Sequence, residues 1–230
     1  MRRLIFILLV SVALLMVGSA GAVLAWRWMD PLTTSFILQR KASELLAGGR
    51  ARDVEHRWVA WQAISENAGL AVIASEDQRF AEHWGFDVES IQDAIEERQR
   101  GGRMRGASTI SQQVAKNLFL WPGRSWLRKG LEAYFTVLIE LCWSKRRILE
   151  VYLNVAQFGD KTFGVGAASE RFFGKRASQL SAYEAALLAA VLPNPVRLRV
   201  ESPSAYVRQR ARWIQRQMRA LGGSAHVRSI

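Results

Sequence analysis

With 230 residues and a single cysteine, Cys142, the chain has room for one domain and no means of closing an internal disulfide, so packing alone must hold it. Half of the residues are hydrophobic and the formal net charge is +12, which excludes a disordered acidic chain and asks for an anionic partner.

The stretch 4–26 carries no charged side chain. At about 1.5 Å per helical residue it reaches across a hydrocarbon core of roughly 30 Å. Arg2, Arg3 and the terminal amine precede it, whereas Arg27 and Asp30 cancel after it. The positive-inside rule then predicts a short cytoplasmic N-terminus and single-pass anchor over residues 1–28, with the body beyond the membrane. Trp26 and Trp28 fall at the exit, where indole rings prefer the headgroup layer. The small residues from Gly18 to Ala22 would also suit a signal peptidase, but the apolar run is longer than a usual signal h-region, and either reading exports the rest.

Residues 29–69 read as a juxtamembrane and connecting segment, with a short helix over 35–46 stopped by Gly48 and Gly49, and a partly extended stretch over 50–68. The domain proper is expected over 70–230, all-α or nearly so. A helix is predicted over 70–82. Asp87 caps a second, to Arg100, and Thr109 with Gln112 forms a capping box for a third, to Leu120. Ser125 caps a fourth whose apolar face is Leu127, Leu131, Phe135, Leu138 and Cys142. A fifth spans 145–157. Ser181 and Glu184 box another that Pro193 and Pro195 stop, and Ser202 with Pro203 opens the last.

Positive charge is clustered. No acidic residue lies between Glu97 and Glu132, a stretch that holds Arg98, Arg100, Arg103, Arg105, Lys116, Arg124, Arg128 and Lys129. Residues 197–230 add eight arginines against Glu201 alone. Behind a membrane span, such a surface suits anionic phospholipid or a phosphate-bearing substrate, and not nucleic acid.

Five stretches carry the chemistry: E-D-Q-R-F-A-E-H-W-G at 76–85, G-A-S-T-I-S-Q-Q-V-A-K-N at 106–117, R-K-G-L-E at 128–132, K-R-R-I-L-E-V-Y-L-N at 145–154 and, more weakly, G-V-G-A-A-S-E-R-F-F-G-K at 164–175. In this order they resemble the motifs of the family 51 glycosyltransferases, in particular the monofunctional peptidoglycan transglycosylases. The resemblance implies a lysozyme-like helical domain in the bacterial inner membrane, its catalytic part periplasmic. It implies transfer of a growing glycan strand from undecaprenyl pyrophosphate to the 4-hydroxyl of incoming lipid II, with inversion. Such a reaction needs a carboxylate to take the hydroxyl proton and cations to meet the leaving pyrophosphate.

By motif match Glu76 is the base, and on the predicted helix Glu76, Arg79, Phe80 and His83 share one face. Asp77 and His83 hold local structure or substrate. Ser108, Thr109 and Gln112 stand at a helix N-terminus that favours an anion, with Gln113, Lys116 and Asn117 on the next turn. Thr109 alone could instead be a plain cap. Arg128 and Lys129 add cations, and Arg128 is spaced to pair with Glu132. Glu150, in line with Arg146 and Asn154, matches the family's second glutamate, a catalytic partner or a ligand for a divalent cation such as Mg2+. No tightly bound cofactor is expected.

Two positions depart from the family pattern: Ala107 where many relatives have glycine, and Gly166 where glutamate is common. No S-x-x-K occurs, so transpeptidation is not expected of this chain. Crosslinking transpeptidases or division proteins are then its expected partners beside lipid II and the bilayer. The competing readings are a lytic enzyme that cuts glycan, also helical and armed with a glutamate, and a membrane scaffold without catalysis. A cutter needs no acid-free basic stretch beside its glutamate.

Overall fold

The computed structural model describes residues 1–101, 108–123 and 125–230, so Arg103, Arg105, Ala107 and Arg124 lie outside the described residues. The uncharged N-terminal run forms α1 (Arg2–Ala25), long and apolar enough to cross a membrane. Of its described side chains only Val23 is buried. The next helix, α2 (Ser35–Leu46), has the bounds predicted, with the Thr34 hydroxyl accepting from Ile37 N–H at 3.2 Å.

The stretch expected to connect is stitched into the body. A two-residue strand β1 (Glu55–His56) pairs in parallel with β2 (Thr162–Phe163), and tight turns cover 51–53 and 61–63. Ser65 then caps α3 (Glu66–Glu76), four residues earlier than predicted and ending six residues sooner. The early end has a cause. Asp77 leaves the helix (φ −162°, ψ 75°) because its carboxylate accepts from Ile110 N–H and from His83 Nε2, both at 2.9 Å. Glu76, Arg79, Phe80 and His83 therefore do not share a helical face.

Local signals fare better. Asp87 Oδ1 accepts from Ser90 N–H at 3.0 Å at the head of α4 (Val88–Gln99), and Gly101 follows with φ +81°. The Thr109–Gln112 box opens α5 (Ile110–Phe119), and Ser125 opens α6 (Trp126–Cys142). Ser144 caps α7 (Lys145–Val155), followed by α8 (Val165–Phe173) and, after the Ser181–Glu184 box, α9 (Ala182–Val191). The last long helix, α10 (Ala205–Ala220), is capped by Ser204 and not by Ser202, and α11 (Ser224–Arg228) ends the fold.

α9 is buried from Ala185 to Val191 and α3 from Ala68 to Ala74, and each packs against the other and against α10. α5 lies between α6 and α7. Each fully buried Ile or Leu here, such as Ile73, Ile110 or Leu149, contributes about 1.5–3 kcal/mol relative to exposure.

The inward face of α6 corrects the expectation. Its buried residues are Glu132, Thr136, Ile139 and Glu140, whereas Leu127 is 71% exposed and Leu131, Phe135, Leu138 and Cys142 are half-buried. The polar face can be buried because it is paired: Glu132 with Arg128 and Lys129, and Glu140 with Ser111 and Lys145. On another side Phe135 stacks on Phe119 at 4.1 Å, which stacks on Trp26 at 5.1 Å, so aromatic packing ties α5 and α6 to the α1 exit.

Gly166 explains its departure from the family pattern. A Cβ there would meet Val59 Cγ2 at 2.4 Å and the Arg57 carbonyl at 2.6 Å, while Arg57 Nη2 donates to Gly166 O at 3.1 Å. The 57–59 stretch lies where a glutamate stem would stand.

Candidate active site

Glu76 is the last residue of α3, and its carboxylate is turned toward α5 and α10. Oε2 accepts from Gln113 Nε2 at 3.1 Å, and Arg210 Nη2 stands 3.6 Å from Oε1. Gln113 Oε1 in turn accepts from the Tyr152 hydroxyl at 3.2 Å, so a fully buried α7 tyrosine fixes the amide that holds the acid. The Glu76 side chain is 14% exposed. Burial pushes its pKa above the usual carboxylate value, and Gln113, Arg210 and Lys116 pull it back. A carboxylate raised by burial is more basic than an exposed one, and the cations beside it favour its ionised form.

Asp77, Thr109 and Gln112 act on the backbone around Glu76. Asp77 ties α3 to the first residue of α5. His83 Nδ1 accepts from Gly85 N–H at 3.1 Å, which leaves the proton on Nε2 for Asp77. Thr109 Oγ1 donates to Gly85 O at 2.6 Å, and Gln112 Oε1 accepts from Thr109 N–H. Thr109 and Gln112 thus make the reciprocal cap at the head of α5. Ser108 is exposed and lines the cleft beside Glu76. Asp77, His83 and Asp87 gather oxygen and nitrogen atoms within 4.8 Å, but each contributes atoms already met by a protein donor or acceptor.

Lys116, two turns into α5, is the hinge of the cationic side. Burial lowers its pKa, while Glu132 and Glu76 favour its charged form and Arg128 and Lys129 oppose it. It therefore stands within electrostatic reach of both Glu76 and the α6 cations. Its ammonium stands over the Phe36 ring at 5.6 Å. Arg128 Nη1 donates to Glu132 Oε2 at 2.9 Å and Lys129 to Glu132 Oε1, so one buried carboxylate orders two cations. Asn117, half-buried, follows Lys116 on α5.

Glu150 and Asn154 are placed elsewhere. Glu150 Oε1 accepts from Trp61 N–H and Oε2 from Arg147, both at 2.8 Å. Asn154 accepts from Val59 N–H at 2.7 Å and donates to Val59 O at 2.9 Å, while Arg146 lies over the Trp61 ring at 5.5 Å. The polar stripe of α7 is thus a rack for residues 59–61, not a solvated face. Both Glu150 oxygens are engaged, so the residue does not fit a divalent ion as placed. The carboxylate that stands among the α5 and α6 cations is Glu132.

Beside Glu76 opens a cleft of about 830 Å³, and one wall of it is α10. Tyr206, Gln209, Arg210, Trp213 and Arg216 line it, whereas Val207, Ala211, Ile214 and Met218 are buried behind. The residues on this wall were not singled out from sequence. Their signal was present, as a polar and aromatic face at helical spacing within the arginine-rich C-terminal stretch. Arg128 Nε and Arg210 Nε are buried and have no hydrogen-bond acceptor among the described residues. A guanidinium N–H left so, on α6 and again on α10, suits a site built for an anion.

Residues 42–219 match the transglycosylase family model. The chain belongs to the transglycosylase family. It is 54% identical over 213 residues to a biosynthetic peptidoglycan transglycosylase of Pseudomonas putida (strain W619), covering 93% of this chain and 90% of that one. It is 55% identical over 208 residues to the protein of that name from Stutzerimonas stutzeri (strain A1501), covering 90% and 86%. As a transglycosylase domain of lysozyme-like type, the helical body begins before residue 70: the match opens at residue 42, within α2.

Proposed function

We propose that this chain is a peptidoglycan glycosyltransferase that polymerises lipid II into glycan strands at a membrane, with Glu76 as the base. The observation that carries the reading is the position of Glu76, a mostly buried carboxylate within electrostatic reach of cations from two different elements, Lys116 of α5 and Arg210 of α10. Lipid-linked sugars bring a pyrophosphate. Glu76 takes the proton of the acceptor 4-hydroxyl, whose oxygen then attacks the anomeric carbon of the strand as the bond to pyrophosphate breaks, with inversion. Lys116, Arg128 and Lys129 meet the charge that develops on the leaving group, and Glu132 holds the last two in place. A divalent ion such as Mg2+ would have to displace Arg147 to use Glu150, so the protein's own cations supply the counter-charge in this scheme. α1 spans the membrane with its N-terminus in the cytoplasm, as Arg2 and Arg3 favour, and the cleft faces the periplasm.

If charge develops on the pyrophosphate, removing a cation raises the barrier more than it weakens binding. Lys116→Ala and Lys129→Ala should each lower kcat for lipid II polymerisation by at least about tenfold, or roughly 1.4 kcal/mol of transition-state stabilisation. Steady-state kinetics on labelled lipid II reads this. A rise in KM at unchanged kcat would remove these lysines from the leaving-group side.

A further inference from the structure

We infer that Trp143 and Arg147 form a clasp that fixes the direction of the membrane span relative to the catalytic cleft. The inference rests on the reading of α1 as a span. At the end of α1 the helical ladder breaks: Arg27 N–H bonds to Leu24 O at 3.2 Å, and Trp28 and Met29 N–H both bond to Ala25 O. Carbonyls around such a break need donors from outside the helix. Trp143 Nε1 supplies one to Val23 O at 2.7 Å. Arg147 supplies others, with Nε and Nη2 on Trp26 O at 3.2 and 3.0 Å and Nη2 also on Met29 O at 2.7 Å, while its Nη1 donates to the Asp30 carboxylate at 2.9 Å.

A planar guanidinium has enough donors in fixed directions to serve several acceptors at once, and a cation suits the negative end of a helix dipole. The Arg147 side chain is 11% exposed and Trp143 is 5% exposed, so both donors are largely withdrawn from solvent, although Met29 and Asp30 themselves are exposed. Ser19 Oγ and the Tyr134 hydroxyl, 2.9 Å apart, add a contact further along the span.

The far side of the clasp leads to the site. Arg147 Nη1 also donates to Glu150, which holds Trp61 N–H, and its guanidinium lies 5.5 Å from the centre of the Trp58 ring. Five residues beyond Arg147 on α7, Tyr152 holds Gln113, which holds Glu76. One helix thus grips the span from Arg147 in its first turn and braces Glu76 from Tyr152 at the end of its second. An enzyme whose substrate arrives in a bilayer gains from this, because a span free to swivel would spread the cleft over many orientations. Glu150, in this account, is a positioning residue.

The test does not depend on turnover. In a Cys142→Ser background, spin labels at exposed Val17 on α1 and exposed Arg219 on α10 report the angle between span and domain after reconstitution in vesicles of phosphatidylethanolamine and phosphatidylglycerol. With the clasp intact, the label–label distance should give a single narrow peak. Arg147→Ala combined with Trp143→Phe should lose that peak to a broad distribution, and Trp143→Phe alone, which keeps the ring packing, should fall between. A second arm measures lipid II polymerisation. The double variant should lose about tenfold in vesicles and far less with detergent-dispersed substrate. A narrow peak in the double variant overturns the inference, and so does an equal loss of rate in detergent and in vesicles. Failure of lipid II to react with the wild-type protein would instead strike at the proposed function and leave the distance result standing.

Discussion

Glu76 stands in an environment unlike that of an ordinary surface carboxylate. Its folded-state pKa is raised by burial above the ordinary value of 4.5. A carboxyl of this kind binds its proton more tightly when folded, so its contribution to stability is present below about pH 4.5 and is lost as pH rises through the folded value. Wild-type protein at pH 7 therefore carries a cost that glutamine does not. Glu76→Gln should melt higher than wild type at pH 7, and the gap should close as pH falls below about 4.5. Polymerisation by the same variant should fall by about 100-fold or more, the usual contribution of a positioned base. Thermal melts across the pH range, with turnover measured alongside, check both. A variant that melts lower at pH 7, or that turns over normally, would contradict the burial or the role.

At the scale of elements, sequence was legible where the determinants are local. The Asp87, Thr109, Ser125 and Ser181 caps and the bounds of α2 are all observed, because a cap and the N–H that donates to it lie within one turn. It was not legible where a distant partner decides. α3 stops at Glu76 because Asp77 is drawn to Ile110, 33 residues away, and α6 buries a polar face because Arg128, Lys129, Ser111 and Lys145 pair it. Motif order singled out Glu76, Glu150 and the α5 and α6 cations alike, since spacing along one helix does not reveal that Trp61 and Arg147 occupy Glu150. Gly166 tests the long-range packing directly. A methyl there would enter the space of Val59 and Arg57, and Gly166→Ala should destabilise by about 1–3 kcal/mol, the usual cost of overpacking. A melting temperature unchanged from wild type would mean that the 57–59 stretch yields freely.

Over the whole molecule, the charge of +12 resolves into parts with different partners. Arg147 binds the α1 exit, Arg128 and Lys129 pair with Glu132, and Arg210 faces Glu76 from α10. The same distribution separates a polymerase from a glycan-cutting enzyme of similar helical type, since only the polymerase releases pyrophosphate beside its carboxylate. The direct measurement gives purified full-length protein labelled lipid II in one vessel and lipid-free cell wall in another. Glycan polymer is expected from lipid II, and no muropeptides from the wall. Soluble fragments from the wall, with lipid II left unconsumed, would contradict it.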